Sequence, residues 1–283
     1  MVILSLFFCC IDNRLNKLML SFLSGLETWQ IAIAINTILL VMAVIFPKKL
    51  LTPIGLVHAW FLGVLIWTTL NWQGYLVVVF YFLIGSLVTQ IGMDKKEAIG
   101  IAERRFGVRG PENVWGSAFT AALCALGIGL INWGLIYFPY FSSTLSINYF
   151  LTLGYVASLS TKLSDTCASE LGKTYGKQTF LITTLQRVPK GTEGAVSLEG
   201  TLAGAIASGI ISLIACWIGL IDFYGIIWCI LAAFIATSLE SVIGATLQSQ
   251  HQWLTNEIVN ILNTLIGAIT ATSLAWLWIR IMV

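Results

Sequence analysis

Long apolar runs constrain this 283-residue chain more than any other feature of its sequence. They lie at about 29–46, 54–71, 74–92, 116–138, 148–164, 199–221, 223–242 and 258–280. Each run is close to the ~20 residues that a helix needs to cross the hydrocarbon core of a bilayer. Only 10% of the residues are charged, whereas soluble domains carry about 25%. The sequence therefore predicts an all-α polytopic membrane protein, a bundle of about seven or eight transmembrane helices with polar cytoplasmic loops.

The start of the chain differs from the rest. It has no positively charged segment before its apolar stretch, and that stretch is too short to span a bilayer. We expect residues 1–28 to form an N-terminal interfacial segment and residues 29–283 to form a single transmembrane domain. The six cysteines form no C-x-x-C pair, so we interpret them as small buried residues rather than zinc ligands.

The positive charges fall mainly on one side of the predicted spans. If the spans alternate in direction, that side holds 12 of the 15 Lys and Arg residues, and the other side holds only Arg14, Lys17 and Arg280. The positive-inside rule places the richer side in the cytoplasm. Its loops, at about 93–115, 165–198 and 243–257, contain most of the polar chemistry. The net charge of +2 gives no reason to expect nucleic acid as a partner.

The stretch SDTCASELGKTYGK, residues 164–177, has the densest polar chemistry. Asp165 and Glu170, with Thr166 and Ser169 between them, stand where an apolar run ends. A carboxylate at the membrane surface is costly unless it is paired or metal-bound. Two carboxylates with hydroxyl groups between them suit Mg²⁺ that also binds substrate phosphates. The alternative is a polar helix terminus with a glycine cap.

Two other inner loops are candidates for phosphate binding. In the first, we expect a short interfacial helix over 94–106, followed by Arg109, whose guanidinium suits phosphate oxygens. In the second, Lys190, Gly191, Thr192 and Glu193 have the composition of a phosphate-binding turn, although no Walker A pattern is present. A solvated loop and a plain turn remain the respective alternatives.

Three single positions and one stripe of small residues also stand out in the sequence. Glu240 lies near the inner end of an apolar run, where a carboxylate normally faces the bundle interior and a partner. His58 is interpreted as a hydrogen-bonded packing residue and His251 as a surface residue. Gly200, Gly204 and Ser208, at four-residue spacing, are typical of a close helix-packing face.

Four segments together resemble a known family. GIAERRFGVRGPENVWG, SDTCASELGKTYGK, RVPKGTEGAVSLEGTLAG and ESVIGATLQ are similar to the integral membrane family that includes phytyl-phosphate kinase of tocopherol synthesis in plastids and cyanobacteria. The resemblance covers about residues 30–280. The second segment is also similar to dolichol kinase and phytol kinase. The chain departs from the expected family pattern at Cys167, where Trp is expected, and at Glu240, where Asp is expected.

The resemblance implies a transmembrane catalytic domain that transfers a phosphoryl group from CTP, or another NTP, to an isoprenoid monophosphate. Phytyl phosphate is the preferred acceptor, and Mg²⁺ is the expected cofactor. It implies catalytic roles for Asp165, Glu170 and Lys190, and metal binding by Asp165, Glu170 and Glu240. The nucleotide and phosphates would contact Thr166, Ser169, Gly172, Lys173, Lys177, Gly191, Thr192, Glu193 and Arg109. The expected location is a cyanobacterial-like inner or thylakoid membrane, and a homo-oligomer is compatible with the sequence.

Two other classes of function stay open at this point. A transporter or lipid flippase would need a polar path across the membrane, and the outer halves of the spans offer almost none. No internal repeat is evident either, which weakens a transporter built from duplicated halves. A scaffold protein with a charged cytoplasmic face is the third class.

Overall fold

The computed structural model describes residues 27–46, 49–135, 144–248, 250–251 and 253–282, without the side chains of Arg104 and residues 144–146. Eight α-helices account for most of these residues. They are α1 (Thr28–Ile45), α2 (Pro53–Gln90), α3 (Met93–Ala98), α4 (Pro111–Asn132), α5 (Thr144–Tyr175), α6 (Leu198–Trp217), α7 (Phe223–Ile243) and α8 (Asn256–Met282). Six are long and apolar enough to cross a membrane, namely α1, α2, α4, α6, α7 with the turn that follows it, and α8. The predicted fold class is confirmed.

Helix α2 is two antiparallel arms rather than one rod. Its backbone leaves the helical region at Asn71, with φ 54° and ψ −160°. A side-chain carbon at Gly55 would lie 2.8 Å from the Arg109 carbonyl oxygen, and one at Gly85 would lie 2.9 Å from the Arg109 guanidinium. In a straight helix Gly55 and Gly85 would be about 45 Å apart. The predicted spans 54–71 and 74–92 are therefore the two arms of a helical hairpin.

Helix α5 runs through the centre of the bundle and contacts α2, α4, α6, α7 and α8. It is more polar than the other long helices, and its middle, residues 153–164, is buried throughout. The Tyr155 hydroxyl donates a hydrogen bond to the Gly74 carbonyl at 2.7 Å, which fixes α5 to the tip of the α2 hairpin. Because α5 is surrounded, its polar residues face protein rather than lipid.

The stripe of small residues on α6 fixes that helix against α5. A side-chain carbon at Gly200 would lie 2.4 Å from the Ala168 carbonyl oxygen, and one at Gly204 would lie 2.8 Å from the Ser164 hydroxyl. The Ser160 hydroxyl donates to the Ser208 carbonyl at 3.3 Å. The predicted packing face is confirmed, since any larger residue at these glycines would force the two helices apart.

Short elements gather at one end of the bundle, here called the inner end, where α1 stops and α4, α6 and α8 start. A 3₁₀ turn (Arg104–Gly107) precedes α4, and a π-helical turn (Gly244–Gln248) follows α7. Strands β1 (Phe180–Leu181) and β2 (Ala195–Val196) pair antiparallel, with Phe180 opposite Val196. The hydroxyl of Ser197 then accepts from the Gly200 amide at 3.1 Å and caps the start of α6.

Two predicted boundaries were wrong. The helix expected over 94–106 ends at Ala98, because the chain turns at Gly100, where φ is +72°. The span expected to end at 164 continues as helix to Tyr175, so the inner loop starts after that residue. The interfacial segment expected at 1–28 lies almost wholly outside the described residues. Most of the outer loop PYFSSTLSI, residues 139–147, also lies outside them.

Candidate functional site

A cavity of about 970 Å³ occupies the inner end of the bundle, and we call it the inner cavity. All three polar loops reach it, together with the last turns of α5 and α7 and the first turns of α8. Ligand pockets in proteins commonly measure about 300–1,000 Å³. The fold therefore brings segments far apart in sequence into one site of a size that suits a ligand.

A carboxylate pair and a lysine lie in this cavity. The Lys162 ammonium donates to the Asp165 carboxylate, one turn further along α5, at 2.5 Å and to the Asn260 side-chain oxygen of α8 at 2.5 Å. The Glu240 carboxyl of α7 faces Asp165. Three helices thus bring one cation and two carboxyl groups together at the point where their inner ends converge.

Amide side chains of α8 complete this cluster. The Asn263 side-chain nitrogen donates to the Glu240 carboxylate at 2.8 Å. The Asn263 side-chain oxygen is buried and has no hydrogen-bond partner among the residues that the structure describes. Buried polar atoms are normally satisfied, so an unpaired oxygen on the side chain that contacts Glu240 is unusual. Carboxylate and amide oxygens are the ligands that hard divalent cations prefer.

The residues present fit a magnesium ion that is shared with a substrate. Within the described ranges, no group of three or more Asp, Glu, His or Cys side chains could hold a metal by itself. Mg²⁺ is usually bound by one or two carboxylates and completed by substrate phosphates and water. Asp165 and Glu240 supply such a pair, and the rest of the inner cavity leaves room for phosphates.

Glu170 lies in a different environment from Asp165. Its side chain is 2% exposed and forms an ion pair with Lys96, which is 1% exposed. Its other oxygen accepts from the Lys173 ammonium at 3.1 Å. Residues five apart in an α-helix point about 140° away from each other. This angle explains why the structure does not bring Asp165 and Glu170, expected to share a metal, together.

The loop at 190–194 lies between two other elements of the inner end. Gly191 has φ +84°, and a side-chain carbon there would lie 2.5 Å from Ile101. Gly194 has φ +75°, and a side-chain carbon there would lie 2.5 Å from the Ser241 carbonyl oxygen at the end of α7. Both positions require glycine for conformation and for space. The inner cavity is lined by four residues of this loop, Lys190, Gly191, Thr192 and Glu193.

Arg109 also lines the inner cavity. Its backbone pairs with the segment before α2, since its amide donates to the Leu50 carbonyl at 3.0 Å. Its guanidinium donates to the Tyr81 hydroxyl at 3.0 Å and lies 5.5 Å and 5.7 Å from the ring centres of Tyr81 and Phe82. These contacts hold the planar cation in one orientation, which favours recognition of a phosphate.

The remaining predicted residues divide into two groups. Thr166, Ser169, Gly172 and Lys173 line the inner cavity, whereas Lys177 is exposed and does not. The hydroxyls of Thr166 and Ser169 donate to carbonyls of their own helix, at 2.9 Å and 3.2 Å. Each hydroxyl oxygen can still accept or ligate.

Sequence reasoning missed two residues that line the inner cavity, Lys162 and Asn260, and two that contact its carboxylates, Lys96 and Asn263. Lys96 and Lys162 were counted as charges that set topology, and Asn260 and Asn263 were not singled out. The signal for Lys162 was its position three residues before Asp165 on one helix face. By contrast, His58 was interpreted correctly, since its Nδ1 accepts from the Trp115 indole at 2.9 Å.

Comparison with known proteins places the chain among integral membrane proteins. Residues 36–268 match the family described as integral membrane protein DUF92. An uncharacterised membrane protein of Synechocystis is 61% identical over 86% of this chain and 90% of its own length. The chloroplastic protein VTE6 of Arabidopsis thaliana is 41% identical over 88% of this chain and 72% of its own length. An uncharacterised membrane protein of Methanocaldococcus jannaschii is 31% identical over 82% of this chain and 89% of its own length. No solved structure matches.

Proposed function

Since the chain belongs to the DUF92 integral membrane family, we propose that its inner cavity is the active site of a lipid-phosphate kinase. The enzyme transfers a phosphoryl group from CTP, or another NTP, to an isoprenoid monophosphate. The preferred reaction converts phytyl phosphate to phytyl diphosphate, in tocopherol synthesis or phytol salvage. The similarity to the chloroplastic VTE6 protein and the family resemblance of the loops support this choice.

One observation carries the proposal: a single cavity at one end of a membrane bundle collects carboxylates, lysines, an arginine and a glycine-rich loop. Phosphoryl transfer depends mainly on positioning and on neutralising phosphate charge. It requires no strong base here, because the acceptor phosphate is already an anion. The inner cavity supplies both requirements where a soluble nucleotide and a lipid headgroup can meet.

The carboxylates and the lysines of the inner cavity would have different roles. Asp165 and Glu240 would hold Mg²⁺, which when bound neutralises the nucleotide phosphates and orients them. Lys162, Lys173 and Lys190 would contact phosphate oxygens, and Gly191, Thr192 and Glu193 would shape the turn beside them. The Glu170 carboxylate is already paired with Lys96, so it would not bind the metal. It would instead orient Lys173, whose ammonium donates to it.

Arg109 would bind the acceptor phosphate. It stands against the second arm of α2, where one of its nitrogens donates to the Tyr81 hydroxyl, and its other donors would bind the anion. An oxygen of the acceptor attacks the terminal phosphorus, the bond to the nucleotide oxygen breaks, and the nucleoside diphosphate leaves. The inner end would then face the cytoplasm of a cyanobacterial-like inner or thylakoid membrane.

Purified protein in lipid nanodiscs tests this function directly. Phytyl phosphate and Mg²⁺ are incubated with each of the four common NTPs, and phytyl diphosphate is measured by mass spectrometry. We expect diphosphate formation with CTP as the best donor. No nucleotide consumption, together with movement of phytyl phosphate between the leaflets of vesicles, would instead identify a flippase.

A further inference from the structure

The inner cavity extends from the polar loops into the membrane-embedded part of the bundle. Its lining includes Thr201 and Ala205 of α6, and Phe234, Thr237 and Ser238 of α7. Ala205 lies about 10 Å along α6 from the inner end of that helix, and Phe234 lies about 13 Å along α7 from its inner end. These depths lie within the range that hydrocarbon occupies in a bilayer.

The deep part of the cavity is closed on one side and open on the other. On the closed side, the deepest lining residues are Tyr81 of α2 and Ser117 of α4, both buried, and Asn260 of α8, which is partly buried beside the buried Val259. On the other side, Thr201 is exposed and Phe234 is 53% exposed. The cavity therefore opens sideways, between α6 and α7, at a depth where lipid tails surround the protein.

The packing of α6 accounts for this opening. Its inner half is held against α5 by Gly200 and Gly204, as described above. Its outer half meets α7, where a side-chain carbon at Gly209 would lie 3.7 Å from Ile230. Only a short link, 218–222, joins the outer ends of α6 and α7. The two helices are thus joined at their outer ends, and the cavity lies between their inner halves.

The walls of this cleft offer little free polarity. The Thr237 hydroxyl donates to the Ala233 carbonyl at 2.8 Å, and the Ser238 hydroxyl donates to the Phe234 carbonyl at 2.7 Å. Hydroxyls that donate to their own helix backbone have used their proton and can offer a ligand only an acceptor oxygen. With Ala205 and the Phe234 ring beside them, they form a surface that accepts hydrocarbon. The other end of the same cavity is lined by charged groups of both signs, so the cavity as a whole suits an amphiphile with a charged head.

We propose that the hydrocarbon tail of the lipid phosphate enters and lies in the cleft between the inner halves of α6 and α7, where Ala205 and Phe234 determine which tails fit. The identity of the head, a phosphate, rests on the proposed function. The position of the tail rests on the cavity alone. The cleft makes the enzyme selective for tail length and shape without any contact to the reacting phosphate.

A matched pair of tryptophan variants tests the cleft. Ala205→Trp fills it, whereas Ile206→Trp places the same ring on the neighbouring residue, which is 62% exposed and outside the cavity lining. We expect Ala205→Trp to raise the KM for phytyl phosphate at least 10-fold and to leave the KM for CTP unchanged. Ile206→Trp should change neither value. Equal effects of the two variants would overturn the proposal.

A second variant covers the case in which Ala205→Trp does not fold. Phe234→Ala removes a ring that is half exposed, so its structural cost is small. We expect it to change the ratio of kcat/KM for phytyl phosphate to that for the shorter geranyl phosphate by at least 3-fold. An unchanged ratio, with a normal melting temperature, would count against the cleft.

Cross-linking without nucleotide separates this proposal from the proposed function. A phytyl phosphate with a photoreactive diazirine in its tail is illuminated with the intact protein in nanodiscs, and labelled peptides are mapped. Labels within 198–209 and 230–243 support the cleft, even if no NTP is consumed. If phytyl diphosphate forms normally but labels appear only on other helices, the tail does not lie in this cleft. The proposed kinase function would then still hold.

Discussion

Lys96 of α3 and Glu170 of α5 form an ion pair in which the two side chains are only 1% and 2% exposed. The Lys96 ammonium also donates to the Thr89 carbonyl at 2.7 Å, in the last turn of α2. Glu170 in turn holds Lys173 at the edge of the inner cavity. One buried pair thus ties the second arm of the α2 hairpin, the short helix α3 and the end of α5 into a single wall of the site.

Removal of one partner of this pair should destabilise the protein strongly. Lys96→Met leaves the Glu170 carboxylate buried with fewer partners, which typically costs about 3–5 kcal/mol. We expect a clear fall in the melting temperature measured in detergent. Arg105→Ala, which breaks an ion pair with Glu112 whose members are 46% and 39% exposed, serves as the control. That change should cost less than about 1 kcal/mol. A melting temperature of Lys96→Met equal to that of the control would contradict the structural role.

Asp165→Asn should abolish phosphoryl transfer while the protein still inserts and folds. The amide keeps the shape of the side chain and an oxygen for Lys162, but it removes the negative charge that would hold Mg²⁺ in the proposed mechanism. Loss of one preorganised electrostatic contact typically lowers kcat by about 100–1,000-fold. Turnover and melting temperature are measured on the same purified sample.

The control for this variant is Asp222→Asn at the outer end of α7. Asp222 caps that helix by accepting from the Gly225 amide at 2.8 Å, and Asn is about as good a cap. We expect full activity from this control. Near-normal turnover of Asp165→Asn would show that the Asp165 carboxylate has no role in phosphoryl transfer.

Arg109→Lys should weaken binding of the lipid phosphate more than binding of the nucleotide. Lysine cannot reproduce the planar fork that contacts the Tyr81 hydroxyl and stacks near the two aromatic rings. We expect the KM for phytyl phosphate to rise about 10-fold or more, equivalent to about 1.4 kcal/mol. Tyr81→Phe removes a single hydrogen bond and should have a smaller effect. An equal increase in the KM for CTP would assign Arg109 to the nucleotide instead.

Gly194→Ala should impair the enzyme far more than Gly219→Ala. Both glycines have left-handed backbones, with φ +75° and +79°. The left-handed conformation alone costs an L-residue about 1–2 kcal/mol. A new methyl group at Gly219 meets nothing within 4 Å, whereas at Gly194 it would press on the end of α7. Activity and melting temperature of the two variants, measured together, show whether the contact between the 190–194 loop and α7 matters beyond backbone strain.

Much of the fold follows from simple sequence patterns. The apolar runs and the asymmetry of Lys and Arg predicted the spans and the side on which the polar loops meet. The apolar runs at 54–71 and 74–92 were predicted as separate spans, and nothing longer than a turn fits between them, which agrees with the α2 hairpin. The extension of α5 to Tyr175 was missed because the hydropathy falls at Ser164 although the helix continues in a protein environment.

The contacts between charged groups of different helices could not be predicted from spacing, although the pair of Lys162 with Asp165 follows i,i+3 spacing within α5. Asp165 and Glu170 are near neighbours in sequence, yet they point to different sides of α5 and meet different lysines. Glu240 meets Asp165 only because α5 and α7 converge. Lys96 becomes buried because Gly92, with φ +67°, turns α3 back against α5. These are tertiary facts, and no local pattern in the sequence encodes them.

The reversal of the chain at Asn71 also decides whether the chain between Thr28 and Met282 crosses the bundle an even or an odd number of times. Counted as one rod, α2 would give an odd number of passes through the bundle, and the start of α1 and the end of α8 would lie on opposite sides. The reversal makes the number even and puts Thr28 and Met282 on the same side, away from the inner cavity. Reporter tags beside these two residues should therefore be protected or exposed together in a topology assay.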